Sequence, residues 1–124
     1  MEPKLCESER RFMELVWENE PLGSKRLAEL CAERLDWKKS TSFTMLRRLI
    51  DKGFLKNENS TVSSLIGRGA VREYESAHIV ESSFGGSLPA FVAAFTSSRA
   101  LSEEDTRQLL GLVEDSRRGR GHGA

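Results

Sequence analysis

The segment from Lys38 to Leu55, KKSTSFTMLRRLIDKGFL, constrains the fold more than any other part of the chain. Apolar residues recur in it at spacings of three and four, which predicts one buried stripe along an amphipathic helix. They are Phe43, Met45, Leu46, Leu49 and Ile50. Ser40 is the predicted N-cap, and Gly53 stands where a glycine is expected to end the helix. The rest of the helix carries hydroxyls and cations, a composition that fits the major groove of DNA.

Cations are concentrated around this predicted helix, although the whole chain is neutral, with 19 Lys and Arg against 19 Asp and Glu. Between Arg34 and Lys56 there are seven cations and two anions, whereas residues 1–33 and 67–124 each carry more acids than bases. A confined positive field is typical of a surface that contacts nucleic acid. A solvated basic patch explains the same count, so charge alone leaves both interpretations open.

Helical periodicity and turn residues organise the first half of the chain. A first helix is predicted to start at Ser8 and to stop before Pro21, and a second, capped by Ser24, precedes the basic helix. After Gly53 two short segments, 54–57 and 61–66, flank turn residues and predict a small β-hairpin. Three helices and a hairpin form a winged helix-turn-helix domain, which we assign to residues 1–66, with Lys56 on the wing.

Three further short amphipathic helices are predicted between residues 67 and 116, the last two capped by Ser87 and Ser102. They hold too little core to be stable alone, so we expect a helical dimerisation region that packs against a second copy. The expected interface side chains are Tyr74, Phe84, Leu88, Phe91, Phe95, Leu109, Leu110 and Val113. Residues 117–124 are rich in Gly and Arg and are predicted to form a flexible tail, with DNA contact as the alternative. The fold class is therefore mainly α, with a β wing.

Several function classes find no support in the sequence. Cys6, Cys31, His78 and His122 are isolated from one another, so neither a metal site nor another cofactor is expected. No nucleophile elbow, HExxH sequence or phosphate loop groups catalytic residue types, so we do not expect an enzyme. No apolar run approaches the roughly 20 residues of a membrane span, and no signal-peptide pattern opens the chain. The two unpaired cysteines fit a reducing cytoplasm.

The ordered set of motifs resembles the penicillinase-repressor family, the BlaI/MecI/CopY-type winged-helix regulators. The resemblance covers residues 5 to about 114, and several short motifs carry it. They are Glu9, Met13 and Trp17, then WKKST at 37–41, TMLRRL at 44–49, FGGSLPAFVAAF at 84–95 and LSEED at 101–105. The resemblance implies a homodimeric transcriptional repressor of a palindromic operator, with two recognition helices about 34 Å apart in successive major grooves.

Carried over by position, the resemblance implies that Lys39, Ser40, Thr41, Thr44 and Arg47 face DNA, and Arg48 matches a family arginine. The composition of the third helix and of the wing adds three more expected contacts, Lys38, Ser42 and Lys56. The alternative role of Ser40 is to cap the helix, and the alternative role of Arg48 is to brace the domain internally. Phe43 is expected in the core, with a thymine-methyl contact as its alternative.

Two properties of relatives are not expected here. Some relatives are inactivated by a membrane sensor-protease system that cleaves an Asn-Phe bond, whereas the matching pair is Ala94-Phe95, which argues against such a partner. Copper-responsive relatives use paired Cys-x-Cys ligands, which this sequence lacks. The competing function is a winged-helix adaptor that binds protein and not DNA, but an adaptor has no need of the clustered cations.

Overall fold

The computed structural model describes residues 3–119, which form six helices and one small sheet. In chain order the elements are α1 (Glu7–Asn19), β1 (Leu22–Gly23), α2 (Ser24–Leu35), α3 (Lys39–Asp51), β2 (Leu55–Glu58), β3 (Thr61–Ser64), α4 (Arg68–Phe84), α5 (Leu88–Thr96) and α6 (Glu103–Arg117). The predicted mainly helical fold with a β wing is confirmed. The chain divides into two compact units after Ile79, within α4. The assignment of residues 1–66 and 67–116 to DNA binding and dimerisation stays a prediction.

The core of the first unit joins α1, α2, α3 and the sheet around almost fully buried side chains. The largest, each less than 2% exposed, are Phe12, Met13, Val16, Leu27, Cys31, Leu49, Phe54, Leu55, Val62 and Val71. Six apolar residues pack at its edge and are partly buried: Trp17, Leu35, Trp37, Phe43, Ile50 and Ile66. The apolar spacing of each of the first three helices therefore predicts correctly which side faces inward.

The wing is an antiparallel sheet in the order β1-β3-β2, with Leu22 opposite Val62. Asn59 and Ser60 link β2 to β3 with positive φ values of 53° and 62°, as two-residue hairpin turns require. The predicted hairpin is confirmed, although its strands are Leu55–Glu58 and Thr61–Ser64. No sequence pattern predicts β1, since two residues are too few to show alternation.

The first three helices begin earlier than the serine caps predicted at Ser8, Ser24 and Ser40. Their observed N-caps are Cys6, Gly23 and Lys38. Two of these earlier starts are explained by hydrogen bonds to groups other than the expected capping serines. The Glu9 carboxylate accepts a hydrogen bond from the Cys6 N–H at 2.9 Å. The Ser24 N–H donates to the Ser60 carbonyl of the wing turn at 2.8 Å.

A glycine in the left-handed region ends α3, as predicted. Gly53 has a φ of 85°, and its N–H donates to the Ile50 carbonyl at 3.0 Å. The Phe54 N–H donates to the Leu49 carbonyl at 2.9 Å, which completes a Schellman motif. Both Phe54 and Leu49 are buried. Phe54 therefore closes α3 and does not begin the wing strand.

Two ion pairs fasten the start of α4 to α1. Arg10 Nη1 donates to Glu75 Oε1 at 2.8 Å, and Arg68 Nη2 donates to Glu14 Oε2 at 2.6 Å. The Arg68 guanidinium also lies 5.5 Å from the centre of the Trp17 ring. The first turns of α4 therefore belong to the winged-helix unit, beyond the predicted boundary at residue 66.

The second unit is amphipathic, but its apolar side chains stay exposed. Ser87 and Ser102 cap α5 and α6 as predicted, with hydroxyls that accept from the N–H groups of Ala90 and Asp105 at 3.1 and 3.0 Å. Neither of these helices contains a buried residue. The large exposed side chains on them are Leu88, Val92, Phe95, Leu109, Leu110, Leu112 and Val113.

The predicted tail begins inside a helix, because α6 continues through Arg117. Arg118 and Gly119 then form a turn. The remaining residues of that predicted segment, 120–124, lie outside the described residues.

An ion pair between a buried carboxylate and an exposed lysine joins the start of α1 to the end of α3. Glu9 is 4% exposed, and Lys52 Nζ donates to its two carboxylate oxygens at 3.1 and 2.9 Å. Burial raises the pKa of Glu9, but hydrogen bonds from the Cys6 N–H and from Lys52 outweigh burial and hold the pKa below 4.5. The charge of Lys52 therefore serves the fold, through its ion pair with Glu9.

We expect Glu9→Gln to lower the free energy of unfolding by about 1–2 kcal/mol at neutral pH, because it removes the charge partner of Lys52. The folded pKa lies below the unfolded value. The loss should therefore be full above pH 4.5 and should shrink as the pH falls through the folded pKa. Urea unfolding over a pH series measures it. Glu7→Gln, an exposed change in the same turn, should cost less than about 0.5 kcal/mol. Equal losses in the two variants would contradict this role of Glu9.

Candidate nucleic-acid interface

The exposed side of α3 is a polar stripe opposite the core. Its exposed residues are Ser40, Thr41, Thr44, Arg47, Arg48 and Asp51, and its buried residues are Ser42, Met45, Leu46 and Leu49. The spacings of three and four within each set are those of two opposite faces of one helix. The helix therefore presents hydroxyls near its N-terminus and arginines along its middle on a single accessible side.

Ion pairing separates the seven cations between residues 34 and 56 into two groups. Three have carboxylate partners in the same unit: Arg34 with Glu18, Lys52 with Glu9 and Lys56 with Glu58, at 3.9, 2.9 and 2.8 Å. Four form no ion pair with any residue in the described range 3–119: Lys38, Lys39, Arg47 and Arg48. All four lie on α3 or at its N-cap, so the unpaired positive charge of this region belongs to the recognition helix.

The structure resolves three alternatives that the sequence leaves open. Ser40 is the second residue of α3 and does not cap it. Arg48 is exposed, without a described partner, so it is not an internal brace. Phe43 packs against the core, as expected, and the Lys39 ammonium lies 6.0 Å from the centre of its ring. Contact of these residues with DNA stays a prediction.

The structure contradicts the expectation that Ser42 contacts DNA. Its side chain is 2% exposed, because position 42 lies on the same face as Met45 and Leu46. The hydroxyl lies 3.4 Å from the Lys38 carbonyl. Burial raises the pKa of the Cys31 thiol, and an interaction with the Ser42 side chain opposes that rise. Ser42 is therefore a buried polar residue on the core side of α3.

Lys56, the cation predicted on the wing, is exposed and forms an ion pair. Its ammonium pairs with Glu58 across one face of β2, and this hydrogen bond lowers the pKa of the Glu58 carboxyl. Exposed pairs of this kind contribute little to stability, so an external phosphate can compete for the lysine. The charge of Lys56 is consequently less available to a partner than the charges of the α3 cations that have no described ion pair.

One cation beside α3 is missed by reasoning from the sequence. Lys25, in the first turn of α2, lines a groove of about 200 Å³ together with Lys39. Ala28 and Ala32 lie between them on the same face of α2. A helical pattern shows that Lys25 is polar but cannot show which other helix it lies beside, so only the fold reveals this pair.

The described part of the chain contains no group of three or more His, Cys, Asp or Glu side chains placed to hold a metal ion. Cys31 is buried and Cys6 is exposed. His78 is exposed and stacks on Tyr74, while His122 lies outside the described residues. None of the helices within residues 3–119 is long and apolar enough to cross a membrane.

Comparison with known proteins finds repressors that align with nearly the whole chain. The family model described as penicillinase repressor matches residues 5–115. The penicillinase repressor of Bacillus licheniformis is 23% identical over 117 residues, which are 91% of this chain and 91% of that protein. The methicillin resistance regulatory protein MecI of Staphylococcus aureus strain Mu50 is 22% identical over 114 residues, 89% of this chain and 93% of that protein. An uncharacterised 16.5 kDa protein from the ptsI 3′ region of Latilactobacillus sakei is 28% identical over 114 residues, 89% of this chain and 78% of that protein.

The opposite placement of Thr41 and Ser42 gives a paired test of this surface. We expect Ser42→Ala to lower the free energy of unfolding by about 1 kcal/mol, since a buried hydrogen bond is lost, and to change duplex-DNA affinity less than about twofold. Thr41→Ala should do the reverse, weakening DNA binding with stability nearly unchanged. Chemical denaturation and fluorescence anisotropy with a labelled duplex measure the two effects. Loss of DNA affinity in Ser42→Ala at unchanged stability would show that the assigned faces are wrong.

Proposed function

The chain belongs to the penicillinase repressor family, and we propose that it is a homodimeric transcriptional repressor that binds a palindromic operator. One observation carries the proposal: the accessible side of α3 presents exposed hydroxyls, and four exposed cations without a described ion-pair partner, Lys38, Lys39, Arg47 and Arg48, lie on this helix or at its N-cap. The resemblance noted in the sequence is confirmed by the family match over residues 5–115. Membership of this family supports the role of repressor. The hydroxyls and cations of α3 are groups that can contact DNA.

In this proposal the side chains along α3 divide into two roles. Thr41, Thr44 and Arg47 read base edges in the major groove, because hydroxyls and guanidinium groups match the hydrogen-bonding pattern displayed there. Lys39 and Arg48 lie beside them and anchor backbone phosphates, which positions the helix without reading sequence. Lys38 and Lys56 add phosphate contacts at the helix start and the wing.

The dimer part of the proposal is supported by the exposed apolar face of the second unit. Phe95, Leu110 and Leu112 are 50%, 64% and 64% exposed, and exposed apolar patches on this scale mark interaction sites. Tyr74 and Phe84, also expected at the interface, are partly buried. A two-fold pair presents the same face from both chains. Such a pair offers two recognition helices to the two halves of a palindrome.

The remaining expectations follow from this role. A repressor acts where the chromosome is, so we place the protein in the cytoplasm and assign it no catalytic activity and no cofactor. Cleavage by a membrane sensor-protease is left out of the proposal, because Ala94 and Phe95 stand in place of Asn-Phe, within helix α5. The adaptor alternative is disfavoured because it does not explain the cluster of α3 cations that have no described ion-pair partner.

We expect Arg47→Ala to weaken binding to an operator, selected from a random duplex pool, by tenfold or more. The estimate follows because a bidentate arginine–base contact is worth about 1–3 kcal/mol. Thr44→Ala should relax sequence preference with a smaller loss of affinity. Anisotropy titrations against the selected duplex and a scrambled duplex separate the two effects.

Arg11→Ala is the control for these variants, since Arg11 is an exposed arginine of α1 that pairs with Glu7. It should leave operator affinity within about twofold. Unchanged affinity in both Arg47→Ala and Thr44→Ala would mean that α3 does not read the operator. If log K for the wild type does not change with log salt, the protein makes no phosphate contacts either.

We expect light scattering to show a dimer at micromolar concentration, and Leu110→Glu to convert it to a monomer. The reason is that a carboxylate placed inside an apolar interface loses its hydration. Leu65→Glu is the matched control, since Leu65 is similarly exposed, 58% against 64%, but lies in the first unit. A wild-type monomer, or dissociation caused equally by both substitutions, would contradict the proposed interface.

A further inference from the structure

The groove beside the recognition helix has the features of a binding place for a single anion. Lys25 and Lys39 line it from α2 and α3, and Ala28 and Ala32 lie between them. The small alanine side chains leave the groove open, so that a group from outside can enter it between the two lysine-bearing helices. Neither lysine forms an ion pair with a residue in the range 3–119, and both are exposed.

The helices that carry these lysines also begin without a side-chain cap. The N-caps of α2 and α3 are Gly23 and Lys38, and neither makes a side-chain capping hydrogen bond. Lys25 and Lys39 both lie in the first turns of their helices, where backbone N–H groups lack an intrahelical acceptor. By contrast, the serines at the starts of α5 and α6 cap those helices. Apart from the Ser24 N–H, which donates to the Ser60 carbonyl, the first N–H groups of these helices have no side-chain cap and add partial positive charge near the two lysines.

We propose that this groove binds one backbone phosphate of the DNA duplex, with Lys25 and Lys39 on either side of it. The inference rests on the proposed operator binding and extends the contact surface from α3 to α2. A phosphate in the groove ties the start of α2 to the strand whose bases α3 reads. Lys25 then acts as a sequence-independent positioning contact.

Glu29 is the opposing charge at this groove, and its setting limits the repulsion. Its Oε1 lies 3.2 Å from Arg26 Nη1, so its charge is partly balanced within α2. Arg26 also lies 3.7 Å from Glu33. The paired carboxylate therefore leaves the two free lysines as the dominant charges at the groove.

The test is a salt titration of Lys25→Gln on two duplexes, the selected operator and an unrelated duplex of equal length. We expect the affinity of Lys25→Gln to fall by about fivefold to tenfold on both duplexes near 0.1 M salt. The slope of log K against log salt should decrease in magnitude by about 0.9, the value for one lost phosphate contact. Lys25→Arg should retain the wild-type slope. Thermal unfolding should be unchanged in both variants, since Lys25 has no ion pair to lose within the described chain.

Arg72→Gln is the matched control, because Arg72 is an exposed cation of α4 without an ion-pair partner in the described chain. It changes the net charge by the same amount and should keep the wild-type slope. An unchanged slope in Lys25→Gln, or an equal loss in Arg72→Gln, would overturn the phosphate contact while leaving operator binding by α3 intact. If the wild type itself fails to bind duplex DNA, both the contact and the proposed function fail.

Discussion

The burial of Met45, Leu46 and Leu49 in the core is the constraint on which the outward surface of the molecule depends. A helix that commits these positions inward has to turn the intervening positions outward, since both sets recur every three or four residues. The Schellman ending at Gly53 stops α3 where its stripe ends, and the Glu9–Lys52 pair ties that end to α1. The recognition face is thus a consequence of packing, and any substitution that rotates α3 displaces every expected base contact together.

The carboxylates of the first unit determine which cations are left for a partner. Glu18, Glu9 and Glu58 engage three cations of the basic region, and the remaining four lie on α3 or at its cap. A net charge of zero is then no obstacle to binding a polyanion. Charges separated by more than about 10 Å are largely screened at 0.1 M salt, so the local arrangement outweighs the total. Neutrality of the whole chain limits long-range attraction, while the proposed DNA-binding face stays cationic.

Periodicity and turn chemistry were sufficient to predict the helices, the Gly53 ending, the wing turn at Asn59 and Ser60 and the two serine caps of the second unit. What they could not predict depends on partners distant in sequence or on the packing of whole helices. The start of α2 is shifted by a bond to the Ser60 carbonyl, and Ser42, a small polar residue, is buried on the apolar side of α3. Lys25 becomes part of the candidate site only because folding places it on the same groove as Lys39.

The second unit exposes apolar side chains that a single chain leaves uncovered. The proposed two-fold partner would cover them and would match the two halves of a palindromic operator. Hydroxyl-radical footprinting of the wild-type protein on its selected duplex tests this account most directly. The account predicts two protected segments on one side of the duplex, with centres about 10–10.5 base pairs apart. Protection of a single segment, or no protection at protein concentrations that saturate binding, would contradict it.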